Sequence, residues 1–227
     1  AGARRCVRLK SMVVWRMEWR VPKDGIGGGL PTVPAYHMDM SNIRSINTSP
    51  GGIPKHPILE AMLSVLGLEG DGHDHEKHRT PIQAVSILDL EVLEAIADES
   101  GVLLPPGALG ENLTLQGVGV QLLAADDRLR FEGGVELRIT RVRPPCYVLD
   151  PLSPDFKKTL WNRIGMYASV LTPGSLEVGQ TITVERCGTG PRPLTRRPKD
   201  GCIDGAEFAR RILLGSSSRP VTANAGS

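Results

Sequence analysis

Turn-forming residues occur so often in this chain that they exclude long helices and favour short strands. The 227 residues include 18 prolines and 26 glycines, and only 4% are aromatic. Because proline and glycine end both helices and strands, this composition predicts many short elements rather than a helical bundle. Alternating apolar and β-branched runs predict strands at residues 43–47, 84–88, 112–115, 128–131, 135–142, 167–171 and 181–185.

Two short helices are predicted between these strands. Apolar residues at helical spacing over 58–66 end at Gly67, and a second helical pattern runs from Asp89, a capping residue, to Gly101. We therefore expect a mainly β fold with short helical insertions. Closure into a β-barrel is expected as well, because closure removes exposed sheet edges.

Composition divides the chain into three parts. Residues 1–40 form a basic, Gly-rich N-terminal tail, residues 41–187 the expected folded domain, and residues 188–227 a Pro/Arg-rich extension in which only 203–214 has a helical pattern. The net charge is +2, but residues 1–23 carry +6 and residues 186–199 carry +5, which leaves −9 on the remainder. An acidic centre argues against nucleic-acid binding there. No run of about 18 apolar residues occurs, so no membrane partner is expected.

The four cysteines, at positions 6, 146, 187 and 202, have no regular spacing and form no C-x-x-C pair. Neither a disulfide framework nor a zinc knuckle is indicated. We expect a reducing compartment and hence a cytoplasmic protein, with organelle targeting by the basic N-terminus as the alternative.

One cysteine stands in a distinctive setting, the segment R-V-R-P-P-C at 141–146. A strand-like run with two guanidinium groups, Arg141 and Arg143, stops at a double proline and presents Cys146. Positive charge favours the thiolate, which is the nucleophilic and metal-binding form of cysteine. Taken alone, the segment is more typical of a buried structural cysteine. If the strand alternates regularly, residues 141 and 143 share a face, so both arginines or neither should reach the site.

A second candidate is the loop at 71–78, which contains His73, His75 and His78. The spacing H-x-H-x-x-H suits metal ligation and resembles the H-x-H-x-D-H signature of metallo-β-lactamase-type hydrolases. However, Lys77 stands where that signature has aspartate, and no histidine follows His78. A polar loop without metal is the favoured interpretation, and a zinc hydrolase is a remote alternative.

Two further segments could contact a ligand. Gly51 and Gly52 lie in a turn whose backbone N–H groups, together with the Lys55 ammonium, could form an anion site. Glu111 and Asn112 stand at the start of a predicted strand and could place a carboxylate and an amide at a barrel mouth. Each segment alone is unspecific.

Eight motifs follow one another along residues 41–187. They are S-I-N-T-S-P-G-G-I-P-K (45–55), G-L-E-G-D (67–71), the His-rich loop, Q-A-V-S-I-L-D (83–89), P-G-A-L-G-E-N-L-T (106–114), R-P-P-C (143–146), G-M-Y-A-S-V-L (165–171) and P-G-S-L-E-V-G-Q-T-I (173–182). In this order they closely resemble the MOSC family, named for the C-terminal domain of molybdenum cofactor sulfurases. Members often carry H-G-G where this chain reads His78-Arg79-Thr80.

The resemblance implies a β-barrel of the MOSC or PK β-barrel type with helical insertions. It also implies one functional cysteine, Cys146, which would carry a persulfide or ligate molybdenum in the molybdopterin cofactor. His78, as a proton relay, and Glu111 join it as catalytic candidates. The cofactor-binding candidates are Lys55, Gly51, Gly52, Arg141, Arg143 and Asn112.

Two functions follow from this resemblance. One is reduction of N-hydroxylated compounds at molybdenum, with an external electron-donor protein, because the chain has no ferredoxin-type cysteines and no dinucleotide fingerprint. The other is a sulfur carrier that receives sulfur from a donor protein and turns nothing over itself. The chain has no room for an aminotransferase-like domain, so pyridoxal phosphate is not expected.

Overall fold

The computed structural model describes residues 41–72, 80–187 and 205–213, and these contain eleven β-strands and three α-helices. The strands are β1 Asn42–Thr48, β2 His56–Ile58, β3 Glu60–Ser64, β4 Gly67–Leu68, β5 Val85–Asp89, β6 Leu113–Gln116, β7 Arg128–Phe131, β8 Glu136–Val142, β9 Met166–Thr172, β10 Gly174–Glu177 and β11 Ile182–Glu185. The helices are α1 Leu90–Ser100, α2 Phe156–Thr159 and α3 Gly205–Leu213. The mainly β prediction with short helices is confirmed. The helix α3 lies within the 203–214 range that has the helical pattern.

Eight strands form one sheet in the order β11-β7-β8-β9-β5-β6-β1-β2, and the pairing of β5 with β6 is its parallel one. A second sheet has the order β10-β3-β4. Closure into a barrel is not confirmed, since β2 and β11 stand at opposite ends of the strand order. Only a bridge between Asn42 and Thr181 and a few backbone bonds, such as Ile182 N–H to the Ser41 carbonyl at 2.7 Å, connect β1 to the start of β11. The end strand β2 has three residues and includes Pro57, which has no N–H to donate to a further strand.

The helix predicted at 58–66 is wrong, because this segment forms the end of β2 and the whole of β3. Strand β3 pairs with β10, a partner far along the chain that local periodicity cannot reveal. Leu59 and Met62, which a helix would use for burial, are exposed, whereas Leu63 is completely buried. Tertiary pairing therefore overrides the local helical pattern.

The second predicted helix is confirmed as α1. It ends at Gly101, whose φ of 67° is left-handed and whose N–H bonds to the Ala97 carbonyl at 2.9 Å. Asp89 precedes the helix, but its carboxylate accepts the N–H groups of Gly119 and Val120 at 3.0 and 2.6 Å instead of capping it. Burial, reinforced by Glu91, raises the pKa of Asp89 to about 8.

Two apolar clusters form the core. One lies among the strands of both sheets, and the other packs α1 against the 108–109, 149–164 and α3 segments. On α3, the ring of Phe208 lies 3.5 Å from the guanidinium carbon of Arg163, which also pairs with Glu99 at 2.6 Å. In the part of the chain that the structure describes, no helix is long and apolar enough to cross a bilayer.

Candidate functional site

A cavity of about 150 Å³ opens where the segments after β1, before β6 and after β8 meet. Five of the residues selected from the sequence line it: Gly52, Lys55, Asn112, Arg143 and Cys146. They come from three distant parts of the chain. The fold therefore brings together the anion-site turn, the amide and the cysteine segment.

Cys146 reaches the cavity because β8 ends at Val142 and two prolines then lead the chain away from the sheet. The backbone of Cys146 is extended, with φ −133° and ψ 177°, and a 3₁₀ turn, Tyr147–Leu149, follows it. The thiol is free and the residue is half-buried. A sulfur in this position is sheltered but accessible to a ligand in the cavity.

Arg143 lies beside it with 7% of its surface exposed. Its Nη2 donates to the Leu109 carbonyl at 2.6 Å, whereas its buried Nη1 has no hydrogen-bond partner. The guanidinium fits there because residue 110 is glycine: a Cβ at Gly110 would lie 3.0 Å from Nη2 and 2.7 Å from Ile53. A buried, charged donor without an acceptor is costly, so this atom favours an anionic ligand.

Arg141 does not line the cavity. The register of β8 against β9 shifts between Ile139 and Arg141, which breaks the regular alternation on which the shared-face expectation depended. The Arg141 guanidinium lies 5.5 Å from the ring centre of Tyr167, and that ring lines the cavity. Arg143 thus reaches the site directly and Arg141 only through Tyr167.

Lys55, which also lines the cavity, is paired with Asp71, and their side chains are 11% and 3% exposed. Burial lowers the pKa of Lys55, while the charge of Asp71 acts in the opposite direction. Asn112 donates to the same Asp71 oxygen at 2.8 Å and accepts the Ser86 hydroxyl at 2.9 Å. The lysine and the amide are therefore held as one hydrogen-bonded unit.

Glu111 lies beneath the cavity and does not line it. Its Oε1 accepts the Gly107 N–H at 2.6 Å and the Thr114 hydroxyl at 3.0 Å. The Gly107 carbonyl in turn accepts the backbone N–H of Lys55 at 3.0 Å. Burial raises the pKa of Glu111, an effect that the Gly107 N–H and the charge of Arg143 oppose. These contacts support a positioning role for Glu111 rather than contact with a ligand.

The turn at Gly51 and Gly52 packs closely against the segment that follows β4. The Gly72 N–H donates to the Ser49 carbonyl at 2.6 Å, and a Cβ at Gly72 would lie 1.9 Å from the Pro50 carbonyl oxygen. Gly52 lines the cavity and has a left-handed φ of 71°, while Gly51 does not line it. Close backbone approach therefore shapes this wall.

His78, together with His73 and His75, lies outside the described residues, so its predicted relay role stays a prediction. Within 41–72, 80–187 and 205–213, no three His, Cys, Asp or Glu side chains group as a metal site.

Residues 74–183 match the family model of the MOSC domain. The chain carries a MOSC domain. The resemblance predicted from the ordered motifs is confirmed. The matched range includes Asn112, Arg143 and Cys146, and it begins after Lys55 and Asp71.

Solved structures are similar to this chain in fold. YuaD from Bacillus subtilis has 20% sequence identity and a TM-score of 0.56, over 66% of this chain and 97% of that one. YiiM from Geobacillus stearothermophilus has 20% identity and a TM-score of 0.55, over 78% and 86%. YiiM from Escherichia coli has 22% identity and a TM-score of 0.51, over 77% and 78%. A comparison with curated proteins gave no match.

Sequence reasoning missed several residues that line the cavity of this MOSC domain: Asp71, Gly72, Gln83, Ser86, Tyr147 and Tyr167. Asp71 ends the G-L-E-G-D motif, Gly72 follows it, and Gln83, Ser86 and Tyr167 lie inside other motifs. The polar residues within the motifs were the sequence feature that could have identified these cavity residues.

Proposed function

We propose that this MOSC domain binds the molybdenum cofactor at Cys146 and reduces N-hydroxylated compounds with electrons from an external donor protein. The observation that carries the proposal is the pairing of two features in one cavity. A half-buried free thiol, Cys146, opens to the same space as the buried Arg143 guanidinium, whose Nη1 has no partner. The cofactor has matching parts, a soft metal and an anionic pterin phosphate.

The donor set suits this group. Thiolate is a soft ligand that suits a soft metal centre, and guanidinium binds phosphate oxygens through charge-assisted hydrogen bonds. A phosphate oxygen at Arg143 would relieve the cost of the unpaired donor. Lys55 and Gly52, which line the same cavity, would add an ammonium and a backbone contact.

The cofactor, when bound, would supply two-electron redox chemistry at a metal held by Cys146. The chain's own residues would orient its partners. Asn112 is fixed by Ser86 and Asp71, so its amide is rigidly placed in the cavity wall. Tyr167, which lines the cavity and has the Arg141 guanidinium 5.5 Å from its ring centre, would offer an aromatic contact to a planar substrate.

Reduction of an N–OH group to N–H consumes two electrons and two protons and releases water. Electrons would come from the donor protein and protons from a group near the substrate. His78 is our proposal for that group, because an imidazole titrates near neutral pH.

The test is a reductase assay on the full chain made in a host that produces the cofactor. Wild-type protein with a chemical reductant should reduce an N-hydroxylated nucleobase. Cys146→Ala should lose that activity while keeping its fold, and Cys187→Ala is the matched control, since Cys187 is exposed and outside the cavity.

Full activity in Cys146→Ala would refute the proposal. An inactive wild-type protein without molybdenum, in which mass spectrometry finds an extra sulfur atom on Cys146, would instead favour the sulfur-carrier function.

A further inference from the structure

The Asp71 carboxylate links the segment after β1, which carries Ser49 and Lys55, to Asn112 at the start of β6. Its Oδ1 accepts the backbone N–H of Ser49 at 3.0 Å, and its Oδ2 accepts the Asn112 amide at 2.8 Å and the Lys55 ammonium. With 3% exposure, its side chain is nearly inaccessible to water. Both oxygens are therefore committed to these donors.

This arrangement gives the two cations of the cavity different electrostatic states. Lys55 has a carboxylate in direct contact, so its charge is compensated within the wall. Arg143 donates from Nη2 to the neutral Leu109 carbonyl, its buried Nη1 has no hydrogen-bond partner, and its charge acts on Glu111, a carboxyl group whose pKa is raised by burial. A bound anion would therefore be attracted by Arg143 and repelled by Asp71.

Resting on the proposed function, we infer that Asp71 is the positioning residue of the cavity. It orients Lys55 and Asn112 toward the ligand, and by pairing with Lys55 it leaves Arg143 as the principal anion-binding group. Asp71 thereby restricts where a phosphate can sit. A phosphate would therefore bind chiefly at Arg143, with Lys55 as a weaker contact whose charge Asp71 compensates.

The isosteric change Asp71→Asn separates this role from general structural support. A carboxylate accepts on both oxygens, whereas an amide presents one acceptor and one donor group. The NH₂ group of the new amide would then face another donor. That donor would be either the Ser49 N–H or the Lys55 ammonium and the Asn112 amide. The same change also frees the Lys55 charge for a bound anion.

The experiment measures binding of inorganic phosphate to the full chain without cofactor, by calorimetry at mildly acidic pH, where a lysine of lowered pKa still carries its proton. Asp71→Asn should bind phosphate about tenfold more tightly, as expected for removal of one like charge from a partly screened site. In Lys55→Met/Asp71→Asn the gain should vanish, because Lys55 is the freed donor.

Asp126→Asn is the matched control. It makes the same change of charge at a side chain that is 71% exposed, and its φ of 71° suits asparagine. Phosphate affinity should stay at the wild-type value in this variant.

The second measurement is kcat of the cofactor-loaded protein. Asp71→Asn should lower it roughly 10–100-fold, since a small misplacement of positioned groups has a large effect on rate. A residue that only supported the fold would lower both phosphate affinity and kcat. The opposite signs identify a positioning residue.

A folded Asp71→Asn that binds phosphate no more tightly than wild type, or that keeps wild-type kcat, overturns the inference. If Asp71→Asn does not fold, the double variant Lys55→Met/Asp71→Asn decides. We expect the double variant to fold, to bind phosphate like wild type and to have a reduced kcat. A wild-type kcat in the double variant would overturn the inference. Unfolding of both variants also overturns it, because Asp71 would then hold the fold rather than the site.

Failure of the proposed function is separable from failure of this inference. A wild-type chain that never acquires molybdenum would refute the proposed function. The phosphate measurements need no cofactor, and they would still decide the effect of Asp71 on the charge of the cavity.

Discussion

Alanine in place of Gly72 would put a Cβ 1.9 Å from the Pro50 carbonyl oxygen and 2.9 Å from the Gly51 nitrogen. Real Cβ atoms stay at least 3.0 Å from such neighbours, so one backbone segment must move. Gly72 has no left-handed φ, and the cost is therefore steric alone. Because Gly72 also donates to the Ser49 carbonyl, the movement displaces the turn that carries Gly52.

The displacement needed is about 1 Å, and a misplacement of that size can lower an enzyme's activity roughly 100-fold. Forced overpacking costs roughly 1–3 kcal/mol of unfolding free energy. For a domain of this size the melting temperature falls by about 2–4 °C per kcal/mol. We therefore predict a modest loss of stability with a large loss of reductase activity.

The assay combines thermal unfolding with reductase kinetics of the cofactor-loaded Gly72→Ala variant. Gly174→Ala is the control: its Cβ would meet only a Val135 methyl group, at 3.0 Å, and Gly174 does not line the cavity. Wild-type activity in Gly72→Ala would refute the claim that close approach of these two backbone segments shapes the site.

Three further predictions follow from particular side chains. Because the pKa of Asp89 is raised to about 8, the folded chain holds a proton that the unfolded chain releases near its ordinary value. The free energy of unfolding should therefore fall as pH rises from about 4 to about 8, by up to about 1.4 kcal/mol per pH unit. Urea titrations of Asp89→Asn should show a shallower slope, and an unchanged slope would contradict this. Inorganic phosphate should raise the melting temperature of wild type but not of Arg143→Gln. Equal increases in melting temperature for the two proteins would contradict an anion-binding role for Arg143. Cofactor loading should protect the half-buried Cys146 from iodoacetamide, as peptide mapping would show, while the exposed Cys187 still reacts; unprotected Cys146 would count against its role.

Local patterns predicted the strands well wherever burial alternates along the segment. Residues 128–131 are predicted and observed as the same strand, and Gly134 in the turn that follows has a left-handed φ of 85°. The helix predicted at 58–66 was wrong because the segment forms strand β3, whose partner strand, β10, is distant in sequence. Periodicity reports a local preference and carries no information on that partner.

The site was partly predictable for a related reason. Cys146 and Arg143 stand in one short motif, so sequence alone could associate them. The direction of Arg141 depended on a register shift in β8, which alternation cannot anticipate. Asp71 was missed because its three donors come from segments that are brought together only by the folded sheet.

The central claim is that Cys146 holds molybdenum in this cavity, and the molybdenum and pterin content of the purified full chain tests it most directly. Protein from a cofactor-producing host should contain both in near-equal amounts, and Cys146→Ala should lose molybdenum while Cys187→Ala keeps it. A wild-type chain without molybdenum or pterin, or equal molybdenum in wild type and Cys146→Ala, would contradict the account.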